Sequence, residues 1–68
     1  MENGWVHIYA TTQPHLVEMA KALLLQNKIE SVIVDKRDSL YITLGEMELF
    51  VRDYDVMKAK FILEKNTL

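Results

Sequence analysis

The sequence predicts an α+β plait of order β-α-β-β-α, with a three-stranded antiparallel sheet and two helices on one of its faces. Three observations lead there. Short segments near residues 5–11, 30–36 and 46–52 alternate apolar and polar residues with a period of two. Two longer stretches, 12–28 and 53–66, repeat their apolar residues at helical spacing. The helical stretches fall after the first and third strands, which sets the element order.

In the first strand, WVHIYAT, Val6, Ile8 and Ala10 are expected on one face, with Trp5, His7, Tyr9 and Thr11 on the other. The period then changes. Thr12 is the expected N-cap, and Pro14 falls in the first turn, where its missing N–H costs nothing. Leu16, Ala20, Leu23, Leu24 and Asn27 form the stripe of this helix, flanked by Val17 and Met19, with Glu18, Lys21 and Gln26 on its wet side. The helix is expected to end near Asn27 and Lys28, because asparagine tolerates the left-handed backbone that closes many helices.

The second strand, ESVIVDK, sets Val32 and Val34 against Ser31, Ile33 and Asp35. In the third, EMELFVR, Met47, Leu49 and Val51 share a face opposite Glu46, Glu48, Phe50 and Arg52. The link 37–45 is too long for a two-residue turn, and Leu40, Ile42 and Leu44 suggest continued hairpin arms with a bulge. Asp53 is the expected cap of the second helix, which buries Val56, Ala59, Ile62 and Leu63.

A right-handed β-α-β crossover followed by a hairpin places the third strand between the other two. This is a truncated ferredoxin-like plait: the stretch after Lys65 is too short for a fourth strand. One domain over residues 5–64 is expected, with flexible termini at 1–4 and 65–68. The outer edge of the first strand then lacks a neighbour, which invites pairing with another chain. The sheet face turned from the helices is expected to carry Trp5, His7, Tyr9 and Phe50, with Ile33 as a further candidate. So much aromatic surface on so small a chain marks an oligomer or partner face.

Composition narrows the function. Eight Lys/Arg against ten Asp/Glu give a net charge of −2 without a basic block, so nucleic acid is not an expected partner. The absence of cysteine removes disulfides and thiolate metal sites. A domain of this size buries only roughly 60% of its unfolded surface. Self-association, with a dimer favoured, is therefore the expected support. The sequence shows no apolar run of membrane-spanning length and no signal peptide, so a cytoplasmic location is expected.

Little points to catalysis. His7 lies between two aromatic residues and His15 in a helix's first turn, and their spacing is not that of a zinc site. Neither Ser31 nor Ser39 sits in a nucleophile elbow, and Gly4 and Gly45 form no phosphate loop. Metals, cofactors and enzyme activity are accordingly not expected. Asp38, Ser39 and Tyr41, just before Gly45, are the candidate ligand or partner surface. Asp38 and Ser39 are also able to fix the loop by bonding nearby backbone amides.

Taken in order, Tyr9-Ala10-Thr11, DKRDSLY at 35–41 and GEMELFV at 45–51 with an acidic helix start resemble a known family. It is that of the short bacterial domains called putative prokaryotic signal-transducing proteins, a family of unknown function. The resemblance covers residues 5 to 64. It implies kinship in fold with the PII signalling proteins and, by analogy, protein regulation or small-molecule sensing. Such domains usually carry glycine before the isoleucine that opens the second strand, whereas this chain has Lys28, so either Asn27 takes the left-handed conformation or Lys28 is mildly strained. The expected function is a non-catalytic regulatory or protein-interaction module, with a protein or a small metabolite as its partner. The rival is a nucleotide- or RNA-binding domain that stacks bases on the aromatic face.

Overall fold

The computed structural model describes residues 4–36, 46–66 and 68. Strand β1 (Trp5–Thr11) is followed by helix α1 (Pro14–Gln26), strands β2 (Ser31–Asp35) and β3 (Met47–Arg52), a 3-10 turn (Asp53–Asp55) and helix α2 (Val56–Lys65). The sheet order is β1-β3-β2, antiparallel throughout, as the crossover argument requires.

Register decides which side chains share a face, because residues directly opposite in an antiparallel pair point the same way. Val6 pairs with Val51 and His7 with Phe50, but the next pair is Tyr9 with Leu49. Ile8 is thus the extra residue of a β-bulge, and it reverses the alternation beyond it. This corrects the expectation for Tyr9: it shares the helix-covered face with Leu49 and packs against the core. Ala10, opposite Glu48, moves to the open face instead. Strand β2 brings a second correction. Ile33 pairs with Leu49 and packs on the core, while Val32 opposite Phe50 and Val34 opposite Glu48 lie on the open face.

The core lies between the sheet and the helices. Val17, Ala20 and Leu24 of α1 meet Ala59, Ile62 and Leu63 of α2 over Met47, Leu49 and Val51, the inward residues of the central strand. Ala20 and Ala59 are fully buried and small, which suits close helix approach over so narrow a sheet. Leu68 packs on the same cluster, and its amide donates to the Leu63 carbonyl at 3.0 Å, although it was expected outside the domain.

Helix ends differ in detail from the sequence reading. Gln13, not Thr12, holds the N-cap position of α1 without a side-chain bond, while Thr11 Oγ1 accepts the Gln13 amide at 3.1 Å. Asp53 opens the 3-10 turn rather than α2, whose N-cap position is Asp55. At the end of α1, the Ile29 amide donates to the Leu24 carbonyl and the Lys28 amide to the Leu25 carbonyl, both at 2.9 Å. This is a Schellman closure, with buried Leu24 and Ile29 in its hydrophobic positions. Its left-handed residue is Lys28, at φ 63°, not Asn27 at φ −99°. Asn27 donates its side-chain amide to the Leu23 carbonyl at 2.9 Å, and Asn66 repeats the device on Ile62 at 2.8 Å.

Candidate interaction surface

The sheet face turned from the helices presents a strip of aromatic and branched side chains bordered by charge. At one end Trp5 lies opposite Arg52, whose Cζ stands 4.1 Å from the centre of the Trp5 ring. That is a cation–π contact, and it orients the guanidinium across the sheet. Arg52 Nε lies 3.8 Å from Glu30 Oε1, which continues the row to the β2 side.

In the middle, His7 and Phe50 make an edge-to-face ring contact, with centroids 5.6 Å apart and planes at 78°. Val32 flanks Phe50 from the other side. These neighbours leave Phe50 only 8% exposed, although no helix covers it. At the far end Glu48 stands between Ala10 and Val34. Its carboxylate lies 3.2 Å from Lys36 Nζ and 3.9 Å from His7 Nε2. An apolar centre within a charged rim is the anatomy of a protein-docking surface, and Trp and Arg are the residues that most often anchor one.

The structure therefore brings Trp5, His7 and Phe50 together as expected and sends Tyr9 to the opposite face. Asp38, Ser39 and Tyr41 lie outside the described residues. His15 is an exposed residue of the first turn of α1, and Ser31 lies on the helix-side face of β2. Among the described residues no group of three or more His, Asp or Glu is placed to hold a metal ion, and no buried side-chain N or O atom lacks a partner. No helix among them is long and apolar enough to cross a membrane.

Two features went unread in the sequence. Val32 and Val34 join the open strip, which only the β2–β3 register reveals. On the outer side of the second helical segment, Tyr54, Met57 and Phe61 are 79%, 86% and 65% exposed and spaced three and four residues apart. They form a second, convex apolar stripe, with exposed Lys58 at helical spacing from both Tyr54 and Phe61.

Comparison with known proteins adds one finding. The model of a family described as "Putative prokaryotic signal transducing protein" matches residues 5–67. No curated protein and no solved structure matches the chain.

Proposed function

The chain belongs to that prokaryotic signal-transducing family, and from this premise we propose that it is a non-catalytic regulatory module whose open sheet face receives a protein partner. The observation that carries this reading is the strip Trp5–His7–Phe50–Val32–Val34, continuous across all three strands and edged by Arg52, Glu30, Glu48 and Lys36. A flat surface of that kind suits another protein's surface better than a small ligand, which calls for a concave site.

The base-stacking rival fits the geometry less well. Stacking needs exposed ring faces along a basic groove. Phe50 is almost wholly covered, Tyr9 belongs to the other face, and Glu30 and Glu48 stand beside the strip.

Trp5 is the chain's single tryptophan and sits on the strip itself, so its emission reports occupancy of this face. Oligonucleotides added at low salt are expected to leave that emission unchanged. A shift that collapses steeply as salt rises would transfer the face to nucleic acid. A metabolite panel is likewise expected to leave the melting temperature unchanged. A metabolite that raises it without moving Trp5 emission would place the regulatory site elsewhere and overturn the docking reading.

A further inference from the structure

We propose that two copies of this chain join edge to edge through β2, about a two-fold axis at Ile33, into one six-stranded sheet. Among the described residues β2 carries a sheet neighbour on one side only. The other edge strand, β1, is interrupted by the bulge at Ile8, a feature that turns edges away from pairing. Strand β2 keeps an unbroken register with β3 along its full length and is free of such a device.

The backbone sets the parity of the pairing. The Lys36 amide donates to the Glu46 carbonyl at 3.0 Å, so even-numbered residues of β2 bond to β3. The backbone groups of Ser31 and Ile33 then point outward. An antiparallel partner centred on Ile33 uses them: Ile33 and the partner's Ile33 exchange two hydrogen bonds.

The side chains select this register over its neighbours. The segment reads Glu30-Ser31-Val32-Ile33-Val34-Asp35-Lys36 and is self-complementary about its centre. On the open face Val32 meets the partner's Val34, and Glu30 meets the partner's Lys36. Both charged groups are accessible, with side chains 70% and 58% exposed. Each already has an opposite charge on its inner side, Arg52 for Glu30 and Glu48 for Lys36. Dimerisation therefore completes a cross-sheet series of alternating sign, Arg52, Glu30, the partner's Lys36 and the partner's Glu48. A slip of two residues sets Lys36 against the partner's Lys28, or Val32 against the partner's Lys36, and loses the match. The contact is isologous, as a two-fold dimer requires. It uses the edge of the sheet and leaves Trp5 uncovered, so it stands apart from the docking proposed for the face.

Charge reversal tests it. Glu30→Lys alone and Lys36→Glu alone each set like charges opposite one another twice per dimer. Each is expected to weaken self-association by about 10-fold or more in sedimentation equilibrium. Mixing the two single variants pairs opposite charges again and is expected to restore association as a heterodimer, as is the double variant with itself. Loss of stability within one chain is not rescued by mixing, so this arm separates pairing from folding. In a mixed sample of labelled and unlabelled chain, an intermolecular contact between the α-protons of Val32 and the partner's Val34 is expected. A monomer at high micromolar concentration, or single variants that mixing fails to rescue, would overturn the proposal.

Discussion

Replacing Leu49 with alanine is expected to lower folding stability by about 3 kcal/mol, from a range of roughly 2–5 for fully buried leucines. Leu49 is 0% exposed in the central strand. It lies between Tyr9 on β1 and Ile33 on β2 and under both helices. Every layer of the fold converges on it, so few neighbours are able to relax into the space its side chain leaves. With a urea dependence of about 1 kcal/mol per molar, typical of the smallest domains, the midpoint of unfolding should fall by about 3 M. For a chain of this size that is a large share of a stability of roughly 5–15 kcal/mol. Met57→Ala provides the contrast: Met57 is 86% exposed, and its loss should change stability by no more than about 0.5 kcal/mol. Both measurements belong at one protein concentration, since association would otherwise enter the comparison. A cost below about 1 kcal/mol for Leu49→Ala would contradict its central placement.

Lys28→Gly is expected to act in the opposite direction and stabilise the domain by about 1 kcal/mol. The left-handed backbone at Lys28, φ 63°, costs a residue with a Cβ about 1–2 kcal/mol, and glycine escapes that penalty. Part of the gain is offset because glycine adds freedom to the unfolded chain. The net change should raise the melting temperature by about 4–8 °C in a domain of this length. Lys28→Ala is the control, since alanine keeps the Cβ and should yield no such gain. If alanine stabilised as much as glycine, the effect would come from removing the lysine charge and not from the backbone. The Schellman bonds around Lys28 show that the turn forms despite its occupant: buried Leu24 and Ile29 hold it closed.

How far the sequence reveals the fold can be judged residue by residue. Among the described residues periodicity locates each strand and helix, because one apolar face per element is enough to set a period of two or 3.6. The crossover rule then fixed the strand order. Periodicity cannot place an inserted residue. In Val-His-Ile-Tyr-Ala no glycine signals a bulge, and Ile8 and Tyr9 both have side chains suited to a core. The swap of Tyr9 and Ala10 between faces therefore became visible only through the register with β3. The same holds for Val32, Ile33 and Val34, three branched residues in succession whose facing the pattern leaves open. Tyr54, Met57 and Phe61 were hidden by their neighbours. The second helical segment is apolar on two sides, and Val56, Ala59, Ile62 and Leu63 account for the buried one.

This second stripe gives the functional account its sharpest competitor. Its three side chains are more exposed than any aromatic residue of the open face, and exposed Lys58, Glu64 and Lys65 stand at helical spacing from them, but on a convex helix. The open strip is flatter, spans three strands and carries its own charged rim. A photoreactive phenylalanine analogue placed at Trp5 in one variant and at Phe61 in another, each expressed in the native cell, compares the two surfaces directly. Docking on the open face predicts protein adducts heavier than the chain's own dimer from the Trp5 variant and few or none from the Phe61 variant. Adducts chiefly from Phe61, with none from Trp5, would contradict it and assign docking to the helical side.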